Sequence, residues 1–494
     1  MPYTPSTPIN VLSDELLCMI FLATRDLDHE KRRWLDSNIL VSHVCRHWRL
    51  HAVSYGPLWD DLRWHQGSSV DAALAILLRS GKATMDVYID ITSCLHKPDP
   101  PRENIIDAHA VLRAIMPHLA RLRSFSLSFS DEYFDADVFR PLHSSPSSSM
   151  PHLRCLCVRY LPRRNSRLPI PPFTIGCNDL QELNLLNEKV DNYASIVGPS
   201  TARVSLERLV MGNDDFIRLL KAAPNIQDLR MTAVGLLRSV GVDDGPIALP
   251  HLQTIHVEDV LRDTLEQLDR ILPLDQVPHA SLTMKRISAH PRGEWVEFLR
   301  VPSLVSVEEM HVHSTDFGVE LRLQTLDHQK SRLLAAVWSP LPQLSTILLD
   351  FQLFEILRMI SVDLHEWMQL IRLVEGYGCT ALPSLRAVSL TLDQSTAGDS
   401  DLDDTFEDIE FPTLERVHIV LAGLNLPSLH LVRQLVLSLY LIYVATSEVE
   451  IEIRGGDEHV EQLIKHLRVI SNASDDILPE EAEVARYVMS WRQE

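Results

Sequence analysis

Three histidines, His43, His47 and His51, stand at four-residue intervals with Cys45 among them. Residues four apart share one face of a helix, and imidazole and thiolate are both zinc donors. The spacing argues against a zinc site, because Cys45 falls about half a turn round from His43 and His47 and no second Cys/His pair follows at finger spacing. Cys155 and Cys157 form a C-x-C on a predicted strand, where lone thiols are inert. No Gly-rich phosphate loop, nucleophile elbow or His-Glu-x-x-His run occurs. The sequence therefore predicts no enzyme, no cofactor and no metal.

The elements around the histidines are more informative. Ser13 is placed to cap a helix whose first turn carries Asp14 and Glu15, where the dipole favours negative charge, and Leu16, Leu17, Ile20 and Phe21 follow at helical spacing. A second helix is expected from Ile39 to Val53, with Leu40, Val44, Trp48 and Ala52 on one face and Pro57 ending the helical stretch. About fifty residues cannot bury so many large apolar groups alone, so part of this surface must meet a partner or the following domain.

In order, the stretch reads Ile9-Asn10-Val11-Leu12-Ser13-Asp14-Glu15-Leu16-Leu17-Cys18-Met19-Ile20-Phe21, then Val44-Cys45-Arg46-His47-Trp48, then Pro57-Leu58-Trp59. It resembles an F-box, with Ser13 where that family usually has proline, and the long charged insert between Phe21 and Leu40 is more similar to F-box proteins of mushroom-forming fungi than to animal ones. The resemblance implies an F-box domain over residues 8–67 that docks onto a Skp-type adaptor, and through it a cullin. By their place in the motif, Leu12, Leu16, Leu17, Ile20, Phe21, Val44, Trp48, Leu58 and Trp59 are the expected adaptor-binding residues.

Behind it, one pattern keeps returning: an apolar residue, two others, an apolar residue, one other and an apolar residue. Copies include Leu122/Phe125/Leu127, Leu153/Leu156/Val158, Leu180/Leu183/Leu185, Leu206/Leu209/Met211, Ile226/Leu229/Met231, Leu252/Ile255/Val257, Leu344/Ile347/Leu349, Leu385/Val388/Leu390 and Leu414/Val417/Ile419, with weaker ones at Val307/Met310/Val312 and Leu282/Met284. The last two apolar positions alternate as in a strand burying one face. Each unit exposes its apolar edge until neighbours stack in parallel. The expected fold class is α/β: a small helical domain, a leucine-rich-repeat-like solenoid with a parallel sheet over residues 68–470, and a helical tail over 471–494. The copies lack the asparagine ladder of standard leucine-rich repeats and are similar to the degenerate repeats found behind F-boxes. Loops are expected at 144–149, 162–172 and 393–410.

A formal net charge of -21 argues against a nucleic-acid partner, which would need a basic stripe. The apolar run Leu431 to Ala445 is too short to cross a bilayer, so no membrane partner is expected. Seven scattered cysteines, an odd number, read as reduced thiols in cytoplasm or nucleus. Residues between the core positions line the open face of the predicted sheet. Arg159, Arg208, Arg230, His256, Lys285, His311, His313, Arg416 and His418 make that row relatively basic and are the expected contacts to a target protein, with an acidic or phosphorylated segment as the fitting chemistry. Together these readings imply a substrate receptor of a Skp/cullin/F-box ubiquitin ligase. The alternative is a repeat scaffold or regulatory protein outside any ligase.

Overall fold

The computed structural model describes residues 12–30, 34–92, 102–130, 137–138, 150–161, 176–177, 179–187, 193, 196–237, 246–284, 307–315, 318–325, 329–337, 353–376, 381–392, 409–421, 427–445, 449–472 and 479–490. The expected loops at 144–149 and 162–172, most of that at 393–410, the triplet at Leu344 and Lys285 lie outside them. The fold is α/β, in two compact units, 1–252 and 253–494.

The first unit opens with helices α1 (Asp14–Glu30), α2 (Trp34–His43) and α3 (Arg46–Ser54) and a 3-10 turn at Gly56–Trp59. Ser13 Oγ accepts from Leu16 N at 3.4 Å, as its capping role predicts. The single helix expected from Ile39 to Val53 is instead two. Cys45 sits in extended backbone, φ -156° and ψ 172°, and its sulfur accepts from Trp48 N, so it caps α3. Periodicity continues unbroken across the join, which is why the break is invisible in it. Trp48 then turns inward against Phe21, ring centroids 5.1 Å apart.

Seven strands of the first unit pair in parallel: β1 (Asp61–His65), β2 (Met85–Asp90), β3 (Leu122–Ser130), β4 (Cys155–Leu161), β5 (Glu182–Leu186), β6 (Arg203–Glu207) and β8 (Asp228–Thr232). The triplet positions meet in register: Phe125, Leu156, Leu183, Val204 and Leu229 form one buried row, and Leu127, Val158, Leu185, Leu206 and Met231 the next. One triplet is corrected. Leu206/Leu209/Met211 does not form a single strand, because β6 uses Val204 and Leu206, while Met211 belongs to β7 (Val210–Gly212), which pairs with β9 (Gly235–Leu237) in a separate two-stranded sheet. Both pairs alternate equally well, so the choice is made by strand partners.

Asn187, Arg208 and Ala233 each follow the last residue of β5, β6 or β8 and each has φ between 52° and 55°. In the second unit Asp259, just after β10 (Thr254–Glu258), repeats this with φ 52°. The same left-handed turn thus ends four strands. The Asn187 and Arg208 amides donate to the last carbonyl of the next strand, those of Glu207 and Thr232, and the Asp259 amide donates to the Thr283 carbonyl, all at 2.7–2.9 Å. Helices α4 (Val70–Arg79), α5 (Arg102–Ile115) and α6 (Asn213–Ala222) connect strands of the first unit, and α6 buries Phe216, Leu219 and Leu220.

The second unit orders its strands β10, β11 (His279–Met284), β14 (Ser331–Val337), β13 (Gly318–Gln324), β12 (Glu309–Thr315), β15 (Met359–Asp363), β16 (Ala387–Leu392), β17 (Arg416–Leu421) and β18 (Glu450–Arg454). All neighbours are parallel except β13, antiparallel to both β12 and β14. That hairpin interrupts the expected all-parallel order, and it announces itself only as short alternation in Val319-Glu320-Leu321-Arg322-Leu323. Helix α7 (Arg262–Ile271) follows β10. Helix α8 (Leu364–Gly376) buries Trp367, whose ring lies 6.1 Å from Phe411. The apolar run near the end is α9 (Leu429–Ala445), largely buried. Helices α10 (Asp457–Asn472) and α11 (Pro479–Ser490) pack on α9 and on each other. Among the described residues, no helix is long and apolar enough to cross a membrane.

Candidate interaction surfaces

The first surface is on the front helices. Leu17 and Phe21, four apart on α1, are fully buried and pack inward with Trp48, Leu58 and Trp59. Trp59 is tied down at both ends of its ring system: its Nε1 donates to the Ala52 carbonyl at 2.6 Å, and the Arg79 guanidinium lies 4.5 Å from its ring centroid. The turn carrying it lies so close to the end of α4 that a Cβ on Gly56 would stand 2.8 Å from the Ser80 carbonyl oxygen. Arg25 of α1 pairs with Asp60 at 2.6 Å and donates to the Pro57 carbonyl, fastening α1 to the edge of β1. Burial pushes the Asp60 carboxyl up even though Arg25 and Arg123 pull the other way.

Another face of α1 has no such cover. Leu16 is 48% exposed, Met19 65% and Ile20 38%, and their i, i+3, i+4 spacing puts them side by side. Ile39, Leu40 and Val44 on and just after α2 are also exposed, as are Leu50 and Val53 on α3. The nine residues expected to hold an adaptor thus divide. Leu16, Ile20 and Val44 are open to contact, Leu12 is half-buried, and Leu17, Phe21, Trp48, Leu58 and Trp59 form the support beneath. Met19, Ile39, Leu40, Leu50 and Val53 are exposed apolar groups that the motif match passed over. Helical phase gave the signal for Met19, which sits between Leu16 and Ile20.

The second surface is the face of the first unit's sheet turned away from the apolar rows. A groove of about 480 Å³ crosses β4, β5, β6 and β8, lined by Arg159, Arg203 and Arg230 and by Glu182, Glu207 and Asp228, with Asn184 and Ser205 on its floor. Arg159 and Arg230 therefore meet at one site, as residues between core positions should. The groove is of mixed charge and not simply basic, because Arg203 and Arg230 face carboxylates. Arg203 pairs with Glu182 at 2.5 Å and Arg230 with Asp228 at 3.3 Å. Arg208 lies in the left-handed turn after β6 and not on the strand row, with Glu207 at 3.9 Å. Arg159 is exposed and has no carboxylate within ion-pair distance among the described residues.

The same pairing recurs in the second unit. Arg416 faces Glu450 at 3.7 Å, His418 faces Glu452 at 2.9 Å, and His311 faces Glu309 at 3.6 Å. His256 Nδ1 is 2.5 Å from Ser281 Oγ. The backbone of His313 lies in β12, paired with Glu320 of β13, and its side chain is outside the described residues.

No protein-family model matches this chain, and no curated protein does either. The functional reading therefore stands on the residues themselves.

Proposed function

We propose that this chain is the substrate receptor of a Skp/cullin/F-box ubiquitin ligase. Its front helices would hold the Skp-type adaptor, and the polar face of its strands would hold the target. The reading is supported above all by the Leu16, Met19 and Ile20 face of α1, apolar and open to solvent, in the stretch whose motif order resembles an F-box. Exposed apolar groups on adjacent turns mark sites of association. The mechanism is proximity: a target and a ubiquitin-charged enzyme held in one assembly react at high effective concentration, and this chain breaks no bond.

The body reads as two stretches of degenerate leucine-rich-repeat solenoid. The parallel strands pairing in register and the left-handed turn after β5, β6, β8 and β10 support that reading. The mixed charge of the groove changes the expected target chemistry. An acidic or phosphorylated segment would bind at Arg159, which has no resident carboxylate, and basic groups of the target would meet Glu182, Glu207 or Asp228.

Co-purification of the full chain with a Skp-type adaptor tests the docking claim. Each anchor buried is worth roughly 1.5–3 kcal/mol, so Leu16→Asp combined with Ile20→Asp removes adaptor binding while circular dichroism and the unfolding midpoint stay close to wild type. Trp48→Ala behaves differently. Trp48 is only 7% exposed, so its truncation costs ~3–5 kcal/mol of stability, read as a lowered urea midpoint. Adaptor recovery unchanged in the folded double variant would overturn the reading in favour of a repeat scaffold that joins no ligase.

A further inference from the structure

The three-histidine run acquires a different partner in the folded chain. His47 and His51 lie four apart on α3, and both rings turn toward Asp14 in the first turn of α1. His51 Nε2 is 3.2 Å from Asp14 Oδ1, and His47 Nε2 is 3.9 Å from the same oxygen. The two imidazoles meet edge to face with centroids 4.4 Å apart. One donor atom from each of the three residues falls within 4.8 Å of the others. His43 and Cys45, the other members of the sequence run, take no part: Cys45 spends its sulfur on the helix cap.

We propose that Asp14, His47 and His51 form a zinc site joining the start of α1 to α3. Zinc takes imidazole nitrogen and carboxylate oxygen at about 2.0–2.2 Å, so donors round a tetrahedral ion stand roughly 3.3 Å apart. The His51–Asp14 pair is already at that spacing, His47 must close by about 0.6 Å toward Asp14, and all three donors start within 4.8 Å of one another. His47 is half-exposed and Asp14 more so, leaving both free to make the adjustment. Two imidazoles with one carboxylate suit zinc and its first-row neighbours and not calcium or magnesium, which take oxygen ligands. Glu15, next to Asp14 in the first turn of α1, adds negative charge beside the site. Three protein donors leave a tetrahedral position for water or for a group on a partner. The proposal is independent of what the apolar face of α1 binds.

Titration of the metal-free full chain with zinc chloride, followed by equilibrium dialysis and metal analysis, tests the site. Wild type retains one more zinc ion per chain than His47→Ala/His51→Ala, and zinc raises the Tm of wild type but not by the same amount in that variant. Asp14→Asn weakens zinc retention while leaving the Ser13 cap and the side-chain size in the first turn unchanged, and lowering the pH weakens it in wild type because protons compete for imidazole. Asp14 and His47 are exposed and His51 is partly so, and circular dichroism verifies that the variants fold. Equal zinc retention by wild type and the folded double variant would overturn the proposal, as would an unchanged Tm of wild type on adding zinc.

Discussion

Cys155 and Cys177 show how one residue type takes its chemistry from its surroundings. Burial, with Glu182 adding its charge, pushes the Cys155 thiol up to about 11, and burial alone takes Cys177 to about 12. Both thiols are neutral at physiological pH and poor nucleophiles. At about pH 8, iodoacetamide is therefore expected to spare Cys177 in the folded chain and to label it in urea, as mass spectrometry of the peptides would report. The stability consequence follows in sign. These groups ionise first in the unfolded chain, near 9, so unfolding releases protons and their contribution, intact below about 9, fades as pH climbs toward 11–12. Urea midpoints that fall less steeply over that range in Cys155→Ala/Cys177→Ala would check it; identical slopes would contradict it. The triplet Leu153/Leu156/Val158 places Cys155 and Cys157 on a strand, as found, but Glu182 enters the account only through the pairing of β4 with β5.

At the scale of elements, the turn that closes β5, β6, β8 and β10 needs a left-handed residue, and in these four positions none is glycine. A Cβ in that conformation costs roughly 1–2 kcal/mol, more when the side chain is β-branched. Ala233 already carries that cost, so Ala233→Val should lower the unfolding free energy only by the further strain of its branched Cβ, roughly 0.5–1.5 kcal/mol, measured by denaturant melts, whereas Ala233→Gly should be near neutral or stabilising. A valine variant as stable as wild type would remove the argument. Elements themselves were largely readable in advance. The helix capped by Ser13 and the strands carrying Phe125/Leu127, Leu156/Val158 and Leu183/Leu185 arise where apolar spacing sets them, since one buried face imposes its period on the sequence. What periodicity could not give was the break at Cys45, made by a side chain bonding its own backbone, or the split of Leu206 from Met211, made by choice of partner strand.

For the molecule as a whole, charge arrangement matters more than charge total. A net charge of -21 and a row of Arg and His residues invited the reading of a basic face on an acidic body. Parallel pairing instead seats Glu182 next to Arg203, Glu450 next to Arg416 and Glu452 next to His418, so those basic side chains already have acidic neighbours. Arg159 is the exception, and the prediction belongs to it. Arg159→Glu should cut recovery of acidic targets by the adaptor-bound receptor about tenfold or more, equivalent to ~1.4 kcal/mol, while adaptor recovery stays unchanged. Arg416→Glu, at a position already paired, should have the smaller effect. The reverse order of effects in a quantitative affinity-capture comparison would move target binding away from the groove.

By itself the sequence determined the periods: which residues are apolar, at what spacing, and so which face of each strand or helix must be hidden. It also carried the order of motifs in the front helices that resembles an F-box. Tertiary structure alone decided which apolar groups of those helices are support and which are open, because Leu16 and Leu17 are identical in chemistry and differ only in phase about α1. It likewise decided that Asp14, more than thirty residues before the histidines, stands beside them. Local propensity acts through neighbours in the chain, whereas burial, ion pairing and metal geometry act between neighbours in space, and only folding brings the second kind together.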